Sequence, residues 1–136
     1  MGSRTWFKVY SDKWLTGTIR EETPEVRSVW IDLLALAAAG GYGDSGEIKY
    51  NDSVGLTDKQ IAAALRISPR LWRMAKTRFL GTNRIEITEN GAIRIVNWAK
   101  YQSEYGRQKP WRERQKAAQP DPDKYLKGKY AHLVRR

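Results

Sequence analysis

The chain contains no cysteine and a single histidine, His132. The first absence excludes a disulfide framework and a thiolate metal site. The second excludes the two-histidine metal centre that relaxation-type nicking enzymes require. No Gly-rich loop ends in Gly-Lys-Ser/Thr, so a phosphate-binding loop for ATP hydrolysis is missing too. The acids Asp12, Asp32, Asp44 and Asp52 are scattered among unlike contexts with no pairing visible in sequence. Catalysis is not expected. Long hydrophobic runs are also lacking: the best, Ile31 to Ala39, is interrupted by Asp32 and falls well short of the roughly 20 residues a bilayer demands. The opening MGSRTWFKVY has no apolar run ahead of a cleavage site, and its likeness to a myristoylation start ends at Trp6, where Ser or Thr is needed. A soluble, cytoplasmic protein without a membrane partner is the expectation.

One absence is local. Between Arg66 and Ile85 there is no carboxylate, while six Lys or Arg occur. The whole chain, 136 residues with net charge +10, has room for one domain of about 100 residues and a tail. A polyanionic partner, nucleic acid or an acidic membrane surface, is favoured. The excess is uneven: residues 1–96 carry 14 Lys/Arg against 11 Asp/Glu, net +3, and residues 97–136 carry 11 against 4, net +7. The tail is basic throughout, and the core is basic only in one place.

The punctuation of the chain is clear. Trp6 to Tyr10 is β-prone and leads into a polar stretch with Gly17. Thr23-Pro24-Glu25 predicts a helix start, with Thr as N-cap, Pro at the first helical position and an acid in the first turn. Val26, Val29, Trp30, Leu33, Leu36 and Ala37 then form one apolar stripe, ended by Gly40-Gly41. A short strand is possible at Glu47 to Tyr50. Thr57-Asp-Lys-Gln60 is a capping box, opening a helix that turns Ile61, Ala62 and Leu65 inward. Ser68-Pro69 repeats the start signal about three residues after that helix, and the next should run to about Phe79 and stop at Gly81. Ile85–Thr88 and Ala92–Val96 alternate with period two around Asn90-Gly91, both tolerant of positive φ, which predicts a hairpin. Beyond Val96 the pattern fades, with a helix expected over roughly 97–108 and breaks at Pro110, Pro120 and Pro122.

Helix, short turn, basic helix and two-stranded wing is the order of a winged helix-turn-helix. On the second helix a step of about 100° per residue puts Leu71, Met74, Ala75 and Phe79 on one face, Trp72 on the flank, and Arg70, Arg73, Lys76 and Thr77 opposite. Long donors on the outer face suit guanine edges and phosphates. Arg70, Arg73 and Thr77 are the base-contact candidates and Lys76 a phosphate candidate, with Arg66 at the turn. An ordinary solvated basic face is the bland alternative, and the flanking capped helix and wing tell against it. Arg84 and Arg94 flank the hairpin; Glu89 at its tip has the wrong sign for a phosphate, so simple closure of the sheet over the core competes with wing-to-DNA contact. In the tail, Lys100, Arg107, Lys109, Arg112, Arg114 and Lys116 interleave with Trp98, Tyr101, Tyr105 and Trp111. The cations suit salt-sensitive phosphate contact. Rings there could stack on bases, although Trp98 and Tyr101 are better read as packing on the domain.

The segments WFKVYSDKW, VWIDLLALA, LTDKQIAAAL, IRIVNWAKYQSEYGRQK and DPDKYLKGKYAHLVRR together resemble phage replisome organiser N-terminal domains. That family is a DnaD-like winged helix of phages and prophages in Gram-positive and related bacteria. The likeness spans about residues 4–116, and its most specific piece is NWxKYQSEYxRQK from Asn97 to Lys109. It implies origin recognition in the host cytoplasm and recruitment of replication or helicase-loading proteins, often by a homo-oligomer. By position it places DNA contact on Arg70, Arg73, Lys76 and Thr77, and on the wing at Arg94. The chain departs from full-length organisers in leaving no room for the usual second domain, which opens an accessory or repressor-like role.

The expectation is therefore an α+β winged helix-turn-helix with a small sheet, a domain at residues 4–106 and a basic tail at 107–136. It should bind double-stranded DNA in phage replication initiation without a cofactor or metal. A winged-helix transcriptional regulator and a protein–protein adaptor are the alternatives, and RNA binding is a weaker one, since no RNA-specific aromatic sheet motif occurs.

Overall fold

A computed structural model of the chain describes residues 3–102. The long helix forms where its signals lie. Thr23 Oγ1 accepts the Val26 N–H at 3.3 Å, Pro24 opens α2 (Pro24–Ala39), and Gly40, in extended conformation, closes it. Val26, Val29, Leu33 and Ala37 bury one stripe of it against the rest of the core. A hairpin follows, β1 (Glu47–Asn51) and β2 (Val54–Gly55), then α3 (Asp58–Leu65), α4 (Pro69–Gly81), a second hairpin of β3 (Ile85–Ile87) and β4 (Ile93–Ile95), and a short α5 (Trp98–Gln102). Ahead of α2 lie α1 (Ser11–Thr16) and a 3₁₀ turn at Thr18–Glu21.

The four strands form one antiparallel sheet in the order β2-β1-β4-β3. Ile93 of β4 stands opposite both Ile48 and Ile87, and Ile95 opposite Ile85. Ile48, Ile85, Ile93 and Ile95 are buried and face the helices, where Trp72, Phe79, Leu33, Ile61 and Val29 complete the core. The other face is charged by register: Arg94 sits directly between Glu47 and Glu86. Its Nε donates to Glu86 Oε2 at 2.6 Å and its Nη1 lies 3.9 Å from Glu47 Oε2.

Three local readings change in the structure. The second hairpin closes through three residues, Glu89-Asn90-Gly91: Thr88 N–H donates to Ala92 O and Gly91 N–H to Thr88 O. Gly91 alone of these has positive φ, +80°, the pattern of a turn closed by a left-handed glycine. The β-prone segment Trp6–Tyr10 forms no strand, and six residues after it make α1 instead. That helix buries no side chain, so no apolar period announces it. Finally α4 runs through Gly81 and stops at Thr82, because Asn83 takes the left-handed conformation at φ 60°.

In place of a strand partner, Trp6–Tyr10 has Gln102. The Gln102 side chain accepts the Lys8 N–H at 2.8 Å and donates to the Lys8 carbonyl at 2.9 Å. This amide imitates one rung of a sheet and satisfies both backbone groups. Tyr10 Oη donates to Tyr101 O at 2.8 Å, and the two rings meet edge-on at 5.4 Å. Trp98, 3 % exposed, donates its indole N–H to Gly43 O at 2.6 Å. It lies against Gly46, whose φ is +76° and where an added Cβ would come within 2.4 Å of the ring. The opening of the motif that carries the family resemblance is thus a structural clasp, as preferred for Trp98 and Tyr101. The expected helix over 97–108 is observed to Gln102, and its continuation lies outside the described residues.

Q102A removes both hydrogen bonds to Lys8, and we expect it to destabilise the domain by about 1–3 kcal/mol. Urea unfolding checks this; a midpoint equal to wild type would mean the clasp contributes nothing.

Candidate nucleic-acid interface

The α3–α4 corner is built by caps. The Thr57 hydroxyl accepts the Gln60 N–H at 3.1 Å and the Gln60 side chain accepts the Thr57 N–H at 2.8 Å, so the two ends of the expected box meet. At the other end Arg66 takes φ 58°. The Ile67 N–H reaches back to Ala62 O and the Arg66 N–H to Ala63 O, which is a Schellman closure with arginine where glycine is usual. Ser68 Oγ then accepts the Leu71 N–H at 3.0 Å and Pro69 starts α4. Three residues, 66–68, separate the helices.

The rotation of α4 differs from the helical-wheel expectation. Trp72 is fully buried beside Ala75 and Phe79, Leu71 is half-buried, and Met74 is 48 % exposed. The physical reason is size and a partner. An indole buries far more area than a thioether, and its N–H needs an acceptor once buried. Asp58, in the first turn of α3, supplies it: Trp72 Nε1 donates to Asp58 Oδ1 at 2.9 Å. Lys76 Nζ donates to the same carboxylate at 2.9 and 3.2 Å. Partial burial pushes the Asp58 carboxyl up. The hydrogen bonds from Trp72 and Lys76, with the charges of Lys76 and Arg73, outweigh it and hold the group below its ordinary value.

A second carboxylate pins the far end of α4. Glu22, just after the 3₁₀ turn, has a side chain only 4 % exposed. It accepts Arg78 Nε at 2.8 Å and Nη2 at 2.9 Å, with Arg84 Nη1 at 3.5 Å. The paired Arg78 hydrogen bond lowers the Glu22 pKa against its burial, and the nearby charges of Arg78 and Arg84 add to this. Arg84 also donates to Thr82 and Thr18 hydroxyls at 2.8 and 2.9 Å.

The six cations of the carboxylate-poor stretch therefore fall into two groups. Lys76, Arg78 and Arg84 are held by Asp58 and Glu22, and Arg94 of the hairpin by Glu86 and Glu47. Arg66, Arg70 and Arg73 are exposed, together with Thr77, and none of the ion pairs among the described residues involves them. Thr77 Oγ1 donates to Arg73 O at 3.0 Å. The structure brings Arg70, Arg73 and Thr77 onto one helix face with Arg66 at its head. Arg107, Lys109, Arg112, Arg114 and Lys116 lie outside the described residues. Sequence reasoning missed Glu22 and the clamp role of Asp58, because their partners lie 56 and 14 residues away. Among the described residues no three His, Cys, Asp or Glu side chains converge as a metal site would require, and no helix is long and apolar enough to cross a membrane.

The described part is an α+β domain with a small antiparallel sheet and a cationic helix face. The chain belongs to the N-terminal phage replisome organiser family, whose model matches residues 9–121. This membership ties it to phage replication. No curated protein and no solved structure matches the chain.

The Glu22 carboxyl titrates lower in the folded chain than in the unfolded one, so its contribution is present above the ordinary carboxylate pKa and is lost as pH falls through the lowered value. Wild type should therefore exceed E22Q in Tm at neutral pH, and the gap should narrow steadily below about pH 4. A pH-independent gap would show that the ion pairs with Arg78 and Arg84 are not its source.

Proposed function

We propose that the domain is a winged helix-turn-helix that binds double-stranded DNA at a phage replication origin, by recognition and not by catalysis. The observation that carries this reading is the division of the cations. Arginines that no ion pair among the described residues engages stand together on the outer face of α4 and its preceding turn. Membership of a replisome organiser family supports the setting, and the pairing of β1 with β4 beyond the α3–α4 corner fits a wing built from β3 and β4. In this reading α4 enters the major groove with Arg70, Arg73 and Thr77 at base edges. Arg66 contacts phosphate from the turn. Lys76, Arg84 and Arg94 serve the fold first, since a phosphate would have to compete with the carboxylates that already hold them. Arg107, Lys109, Arg112, Arg114 and Lys116 add salt-dependent affinity. Replication proteins and a second copy of the chain are the further partners of the assembly.

Purified chain should retain one locus from sheared phage DNA at about 150–200 mM salt, where non-specific phosphate binding is largely suppressed. A locus of repeated short sites supports origin recognition, a palindrome at a promoter would make the chain a regulator, and uniform or no retention would favour an adaptor. On the retained site R73A should lose about 1–3 kcal/mol and relax base preference, whereas R94A should bind nearly as wild type. Unchanged affinity and preference in R73A would remove α4 from the groove.

Arg66 provides a separate check. A left-handed conformation costs a residue with a Cβ roughly 1–2 kcal/mol, and glycine avoids it at a smaller entropic loss. R66G should thus be about 0.5–1 kcal/mol more stable while binding DNA more weakly. Gain of stability with no loss of affinity would show that this arginine has no part in binding.

A further inference from the structure

One side chain on the arginine face is of the wrong chemistry for a solvated helix surface. Met74, 48 % exposed, lies one turn from Arg70 and from Thr77 on the same row of α4, with Arg73 alongside. It is outside because Trp72, anchored by its hydrogen bond to Asp58, takes the inward position. A single exposed apolar residue is ordinary on a protein surface, but this one borders the arginine face, one turn from Arg70 and next to Arg73 in sequence. Its neighbour Thr77 has already given its hydroxyl hydrogen to Arg73 O, which leaves it only acceptor lone pairs and a methyl to present. The face therefore combines strong donors with a short apolar strip.

Base edges in the major groove offer the matching set. Guanine presents N7 and O6 acceptors, and thymine alone presents an apolar group, its C5-methyl. An unbranched, polarizable thioether chain adapts well to such a small apolar knob. We propose that Met74 packs on a thymine C5-methyl and selects thymine at the position facing the middle of α4, beside bases addressed by Arg70 and Arg73. This deepens the DNA-binding reading above and rests on it.

The test starts with the full chain selecting duplexes from a random library at about 150 mM salt. Each thymine of the selected site is then replaced by deoxyuridine, which removes only the methyl. Wild type should lose about fourfold in affinity at one or two positions, the value of one buried methyl-sized group. M74A should bind the thymine duplex about fourfold more weakly, no longer distinguish thymine from uracil there, and keep the wild-type Tm. R70A should bind more weakly throughout yet keep the discrimination. Equal binding of thymine and uracil duplexes by wild type overturns the inference and leaves DNA binding standing. Discrimination that persists in M74A also overturns it, since the methyl is then read elsewhere. If wild type enriches no duplex at all, the DNA-binding reading fails and the inference with it.

Discussion

The burial of Trp72 with its N–H delivered to Asp58 is the interaction on which the arrangement of this domain turns. A helix has one rotational freedom about its axis, and the largest side chain to be buried settles it. Had Met74 gone inward, as its spacing with Leu71 and Phe79 suggests, the outer face would carry a different set of residues. The indole wins on area, and the carboxylate on the first turn of α3 makes the burial affordable by pairing its polar atom. The same carboxylate holds Lys76. One acid thus sets the phase of α4, ties it to α3, and removes one cation from the exposed set.

Charge on this domain is sorted by carboxylates that are distant in sequence. Glu22 takes Arg78 and Arg84, Asp58 takes Lys76, and Glu47 with Glu86 takes Arg94. These pairs are partly shielded from water, where an unpaired charge would be costly. Arg66, Arg70 and Arg73 are left exposed, Arg66 in a backbone conformation that glycine would adopt with less strain.

Much of this was legible in the sequence. The caps at Thr23, Thr57 and Ser68, the first-turn prolines, and the period-two runs of isoleucine each act through neighbours three or four residues away, and each element appeared where those signals stood. The exposure of Arg70, Arg73 and Thr77 was legible for the same reason. What escaped was decided over longer separations. Nothing near Glu22 reveals that Arg78 will meet it, and nothing near Trp72 reveals Asp58. The Trp6–Tyr10 segment has strand propensity, but propensity needs a partner edge, and the chain supplies a glutamine side chain instead.

That glutamine has a kinetic meaning. The contact between Lys8 and Gln102 joins residues 94 positions apart, close to the full length of the described domain, whereas the α3–α4 corner and the two hairpins close over a few residues each. Loop-closure entropy makes such a contact slow to form and unrewarding until the intervening chain is already ordered. The clasp therefore belongs to the end of folding. We therefore expect it to open before the helical corner does, with the amide proton of Lys8 exchanging with solvent through partial openings that leave α3, α4 and their arginines in place.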